Sequence, residues 1–227
     1  PQFRGLYTVS SSHRPGPPKN MKPGRHFAKF CLLDAEANLG LDKTYKDAYE
    51  MLLGYFYEVV QALGFRKEDV VMVTCKELNP NGPVTGEDEA RFGKSIGNIP
   101  FFVTHFRSMD NPFFNMPQRW YGASDQPWVE EWEDSTFYKV DLCLPVRMDD
   151  GSIVHMECGG GSPRLHDKNR IIEGFYRIES FYKTLFEYFG RSRTLMELNE
   201  YANLVHNNPV QTLGFGLGMD RIARVVS

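Results

Sequence analysis

Near its C-terminal end the chain reads Gly214-Phe215-Gly216-Leu217-Gly218-Met219-Asp220-Arg221, three glycines alternating with large apolar residues, then an acid and an arginine. Strict alternation fits a strand with one buried face. Glycine on the other face leaves that surface open to close approach. Met219 to Val226 has helical spacing, so Arg221 is expected where strand gives way to helix. A flat surface without side chains, ending in a fixed guanidinium, suits a nucleotide: base or ribose on the glycines, phosphate on the arginine.

A second stretch repeats this logic. Phe137–Leu144 and Ile153–Cys158 read as strands, with Asp149-Asp150-Gly151 as the turn between them. Glu157 lies at the end of the second and leads into Gly159-Gly160-Gly161-Ser162-Pro163-Arg164. The acid can hold a divalent metal, the glycines admit a ligand, and the arginine reads a carboxylate. A third piece lies at the N-terminal end. Residues 5–10 read as a strand, and Arg25 to Glu36 as another. The Pro-rich loop between them, Ser11 to Gly24, carries His13, Arg14, Lys19 and Lys22, so the hairpin tip can embrace an anion. Period two puts Phe30, Leu32, Asp34 and Glu36 on one face, and two carboxylates beside an aromatic are poor core material.

The remainder reads as scaffold. Asp42 is the expected cap of a helix running to about Leu63, with Gly64 as its stop. A short strand over Val70–Thr74, a helix over Glu87–Ile96 and a strand over Pro100–Phe106 follow. Residues 107–135 are irregular, a length that marks a functional or mobile loop. An aromatic-rich helix over Asn169–Tyr188 and a helix over Leu195–Val205 precede the glycine-rich strand. The fold class expected is α+β, an antiparallel sheet flanked by helices packed on one side.

With 227 residues, 41% of them hydrophobic, the chain can build one sizeable core. A net charge of −3 gives no global basic signature for nucleic acid, though a local patch is compatible with it. No apolar run approaches membrane-spanning length, so no membrane partner is expected. Cys31, Cys75, Cys143 and Cys158 are far apart, which argues against a structural zinc and for reduced thiols in a cytoplasmic protein. The chain starts without Met, and its ends cut close to a strand and a helix, which reads as a piece of a longer polypeptide.

Taken in order, Arg14 to Phe30, Glu157 to Arg164 and Gly214 to Arg221 resemble motifs 2 and 3 of the class II aminoacyl-tRNA synthetases, in the aspartyl/asparaginyl branch. Gly159 to Asp167 resembles an aspartyl-enzyme segment, and Pro100 to Phe106 a strand common to both enzymes. The resemblance implies that residues 1–227 form one catalytic domain around a six- or seven-stranded antiparallel sheet. Motif 1, the family's dimer element, and an anticodon-binding domain are missing from the sequence, while the family implies a homodimer. It implies ATP as substrate with Mg2+, the metal held by Glu157 with help from Asp141. Arg14 would contact the α-phosphate, Phe30 would stack on adenine, and Arg221 would hold the γ-phosphate. Arg25, His26, Gly216 and Gly218 would complete the ATP site. Arg164 would bind a carboxylate of the amino acid and Asp34 its ammonium, with Glu36, Gly160 and Ser162 around them. Aspartate and asparagine both remain open as the amino acid.

The chain departs from the family where Arg14 is followed by Pro15-Gly16 rather than an acid, and where the hairpin from Asp141 to Glu157 is longer. These departures leave tRNA, ammonia and a small amine all open as acceptor. The ammonia-dependent asparagine synthetase is the tRNA-free relative. A non-catalytic paralogue that binds amino acid or nucleotide is a third reading. The joint presence of Arg14, Glu157, Arg164 and Arg221 weighs against it.

Overall fold

The computed structural model of the protein describes residues 5–13, 29–40, 43–107, 115, 117–121, 128–129, 136–177, 183–208 and 210–226. In chain order the elements are β1 (Gly5–His13), β2 (Lys29–Gly40), α1 (Tyr45–Ala62), a 3-10 turn (Lys67–Asp69), β3 (Val71–Thr74), α2 (Cys75–Leu78), α3 (Gly86–Ser95), β4 (Phe101–Thr104), β5 (Phe106–Arg107), β6 (Pro117–Tyr121), β7 (Trp128–Val129), β8 (Thr136–Phe137), β9 (Val140–Arg147), β10 (Ile153–Pro163), α4 (Lys168–Arg177), α5 (Lys183–Phe189), α6 (Arg191–Asn207), β11 (Gln211–Gly218) and α7 (Met219–Ile222).

Seven strands form the main sheet in the order β1-β2-β11-β10-β9-β4-β3, and β5-β8-β6-β7 form a smaller one. Every pair in the main sheet is antiparallel except β3 with β4. The parallel pair exists because the chain crosses over through α2 and α3 between those strands. The expected α+β class holds, but helices flank both faces rather than one.

One face is covered by α1. Thr44 and Asp47 form a capping box at its start. Asp42, the cap expected from sequence, lies outside the described residues. Leu52, Phe56 and Val60 of α1 are fully buried against Phe102, Val140, Leu142, Leu144 and Leu213. Phe56 meets the rings of Phe102 and Phe215 at 6.2 and 5.9 Å between centroids. Each such side chain contributes about 1.5–3 kcal/mol by burial. These residues are the apolar phase of each strand's alternation, so the opposite phase faces the other side.

On that other side α2 and α3 cover the β3-β4-β9 end, over Phe101, Val103 and Cys143, and α3 reaches the first half of β10. A third cluster, Leu165 with Ile171, Phe175, Leu198 and Ala202, joins β10 to α4 and α6. Among the described residues, no helix covers the middle of the face.

Several boundaries differ from the sequence expectation. The helix expected over Asn169–Tyr188 is described as α4 and α5, with 178–182 outside the described residues. The segment after Met219 is helical only to Ile222, because Val225 pairs as an isolated bridge with Val146. His105, at φ 55°, breaks the strand expected over Pro100–Phe106 into β4 and β5. Cys75–Leu78 forms a helix because Thr74 and Glu77 make a capping box of their own.

Helix α3 rests directly on β10 at Gly93. A side chain there would overlap the His155 ring, whose Nε2–H donates to the Ile99 carbonyl at 2.9 Å. Burial holds the His155 pKa below its ordinary value. Helix propensity alone favours alanine over glycine by about 1 kcal/mol. Overpacking a fixed ring costs about 1–3 kcal/mol and outweighs it. Gly93→Ala is therefore expected to destabilise the fold by about 1 kcal/mol net in urea melts, and a stabilised variant would contradict this packing.

Candidate active site

The middle of the sheet holds a cleft of about 610 Å³ lined by β2, β11, β10 and β9. Register explains its shape. Asp34 on β2 lies opposite Gly216 on β11, Gly216 opposite Gly160 on β10, and Gly160 opposite Asp141 on β9. Next to this row, Glu36 lies opposite Gly214 and Gly214 opposite Ser162. Glycines thus floor the cleft, and carboxylates stand at its sides. With three strand steps of about 4.8 Å, the backbones of Asp34 and Asp141 are roughly 14 Å apart, wide enough for a nucleotide laid flat.

The acids lean inward over the glycines. A Cβ on Gly216 would lie 3.2 Å from Asp34 Oδ1, and one on Gly160 would lie 2.5 Å from Asp141 Oδ1 and 3.3 Å from Glu157 Oε1. Gly159 and Gly161 serve the other face, where side chains would strike Leu217, Phe215 and Leu52. Glu157 and Gly160 share the cleft face despite their odd spacing because a bulge lies between Glu157 and Gly159.

One end of the cleft holds Arg221. Its Nη1 donates to the Glu157 carbonyl, which ties α7 to β10. Asp220 ties the same short helix to β2, accepting from the Cys31 N–H at 2.5 Å. At the opposite end Arg164 donates to Glu36 Oε1 through Nη2 at 2.5 Å and Nε at 3.1 Å. This pair lies across Gly214, where any side chain would collide with both partners. The guanidinium that sequence left open for a ligand is thus already held by Glu36. Ser162 donates to Asn115 Oδ1 at 2.6 Å, both residues being buried.

The β9 wall concentrates charge. Lys139 Nζ donates to Asp141 Oδ2 at 2.7 Å and lies 3.7 Å from the Phe106 ring centroid. Burial pushes the Asp141 carboxyl up to about 7; Lys139 counteracts this, while Glu157 and Glu89 reinforce it. Burial disfavours the Lys139 charge, but Asp141 and Glu157 more than offset that and raise its pKa. Asp141 Oδ1 is buried without a hydrogen-bond partner. An orphaned carboxylate oxygen converging with Glu157 Oε1 fits a hard divalent cation that takes its remaining ligands from phosphates and water. Burial pushes the Cys158 thiol at the cleft up to about 12 and Cys143 well above the ordinary range.

No protein-family model matches the sequence, and no curated protein matches it. Solved structures do. Asparaginyl-tRNA synthetase of Entamoeba histolytica, in complex with asparaginyl-adenylate, superposes with a TM-score of 0.61 at 16% identity, over 97% of this chain and 48% of that one. Aspartyl-tRNA synthetase of the same organism gives 0.60 at 17%, over 96% and 44%. Asparaginyl-tRNA synthetase of Pyrococcus horikoshii gives 0.59 at 16%, over 98% and 50%. This is the fold of a class II aminoacyl-tRNA synthetase catalytic core. The chain spans about half the length of these synthetases.

Within that synthetase fold, Phe30, Asp34, Glu36, Asp141, Glu157, Gly160, Ser162, Arg164, Gly216, Gly218 and Arg221, scattered over nearly 200 positions of sequence, all border the one cleft. Arg14, Arg25 and His26 lie outside the described residues, as do Lys19, Lys22 and much of 107–135. Sequence reading missed Lys139, Glu89 and Asn115. Lys139 was within reach, two residues before Asp141 and so on the same face of the chain. Glu89, on α3, accepts from the Glu157 N–H at 3.2 Å, and nothing in its helix marked it. Asn115 pairs with Arg164 from an irregular stretch without periodic signal.

Asp220 ties α7 to β2 through its carboxylate, and its loss leaves the Cys31 N–H without that acceptor. A charge-assisted bond of this kind is worth about 1.5–3 kcal/mol. Asp220→Ala is expected to lower stability by about 2 kcal/mol in calorimetry, and an unchanged melt would show that α7 is held otherwise.

Proposed function

We propose that this protein is an ATP-dependent ligase that activates an amino acid of the aspartate/asparagine pair as an aminoacyl-adenylate. The observation that carries the reading is the glycine floor with Arg221 at one end and the Arg164–Glu36 pair at the other. A nucleotide needs a flat bed and a cation for its phosphates; an amino acid needs polar groups that read both ends. The residues that would meet both demands lie on one sheet.

In this reading the adenosine lies over Gly216 and Gly218 with Phe30 against the base. Arg221 holds the γ-phosphate, and Arg14, with Arg25 and His26, serves the α-phosphate side. Asp34 takes the amino-acid ammonium beside Gly160 and Ser162. Asp141 and Glu157 would hold Mg2+, which when bound neutralises phosphate charge. The substrate carboxylate oxygen attacks the α-phosphorus, the bond to the bridging oxygen of the β-phosphate breaks, and pyrophosphate leaves. No protein nucleophile and no proton transfer are required. Catalysis is positioning and charge stabilisation.

The pair at the amino-acid end favours asparagine over aspartate. Glu36 supplies acceptors and Arg164 donors, and a carboxamide offers the complement of both. A substrate carboxylate would meet Glu36 as a like charge. Asparagine already carries the amide that an asparagine synthetase would make, so tRNA is the acceptor that goes with this pair.

Pyrophosphate exchange into ATP is expected to depend on asparagine. Arg221→Ala should lower it about a hundredfold, the order seen when one charge-stabilising donor is lost from a preorganised site; full activity in that variant would sink the nucleotide assignment. Charging is read with labelled asparagine and total tRNA, against labelled aspartate with ammonium. A new amide from aspartate, without labelled tRNA, would reverse the choice of acceptor.

Glu36→Gln replaces the like charge by a group that can donate or accept. The preference for asparagine over aspartate in kcat/KM should fall about tenfold, the scale of one polar contact. If the ratio does not move, Glu36 does not read the substrate.

A further inference from the structure

Lys139 has no part in the reaction above, yet it occupies the wall where the metal-binding acids converge. We infer that Lys139 acts as a built-in cation that limits this wall to one divalent ion. The inference builds on the adenylate-forming reading for the purpose of that ion, but not for its number.

Two carboxylates converge here, Asp141 on β9 and Glu157 on β10, and Glu89 on α3 adjoins them through the Glu157 N–H. Glu89 is joined to the backbone of Glu157, and Asp141 and Glu157 both approach the space above Gly160. Two facing carboxylates without an internal partner offer four oxygens, which is the donor set of sites that bridge two metal ions about 3.5–4 Å apart. Lys139 removes one of those oxygens, because its ammonium is bonded to Asp141 Oδ2. Its ammonium also offsets one carboxylate charge at the wall.

The lysine is fixed for this task. Its ammonium lies over the face of Phe106, and only 21% of the side chain is exposed. Oδ1 of Asp141, buried and unpartnered, remains for the ion beside Glu157 Oε1. Lys139 is thus a positioning residue: it orients Asp141 so that one oxygen faces the cleft. Unlike a second metal ion it cannot leave with pyrophosphate.

The test counts ions. Mn2+ alone is titrated into the full chain and followed by electron paramagnetic resonance, and the ions counted are those lost in Glu157→Gln. The wild type should bind one. Lys139→Met, which keeps the stem and removes the charge, should bind a second ion or hold the first at least tenfold more tightly. Lys139→Arg should restore the wild-type count. Two ions or none in the wild type would overturn the inference, and so would a Lys139→Met protein with unchanged number and affinity. If Lys139→Met fails to fold, the wild-type count decides by itself. Because no nucleotide is present, absent pyrophosphate exchange would refute the adenylate reading while leaving this count to stand or fall separately.

Discussion

The cleft depends on side chains that are not there. At Gly214, Gly216 and Gly160 the sheet has room above its backbone, and the neighbouring acids and Arg164 fold into that room. A methyl group at Gly214 would displace both halves of the Arg164–Glu36 pair, and one at Gly160 would press on Asp141. The polar groups therefore converge on the floor instead of standing apart towards solvent. A central strand normally loses stability for each glycine it contains. Here the loss is offset on the reverse face, where Leu213, Phe215 and Leu217 of the same strand pack towards α1.

A single bulge keeps the two halves of β10 in phase with this floor. Strict alternation from Glu157 would send Gly159 and Gly161 to the cleft, and Gly160, Ser162 and Arg164 to the helix face. The irregularity between Glu157 and Gly159 inverts that parity, so the acid and the arginine share one surface. The small residues beyond it then do two jobs by turns: Gly160 opens the cleft, while Gly159 and Gly161 admit Leu217, Phe215 and Leu52.

Much of this was legible in the sequence because it follows from periodicity. Alternation in β11 and β2 placed the glycines and acids on one face, and helical spacing found α1 and α3 within a residue or two. What was not legible depends on contacts between distant segments. The helix expected after Met219 stops at Ile222 because Val225 finds a partner on β9. The parallel β3–β4 pair depends on where a crossover lands, not on composition. Glu89 became a member of the charged wall only through the docking of α3 on β10, and Arg164 lost its apparent openness only because Glu36 stands across Gly214.

Strand order has one further consequence, for how the chain reaches this state. β11, the last of the described strands, lies between β2 and β10, and its pairing joins Gly218 to Leu32. Until that segment is available, β2 and β10 each present an unpaired edge. Edges of this kind invite pairing with other chains. Closing loops of such length before any contact rewards them slows folding. The two acidic walls therefore face each other over a closed glycine floor only once β11 has paired with both neighbours, and a chain that lacks β11 would hold half a cleft on each side of a gap.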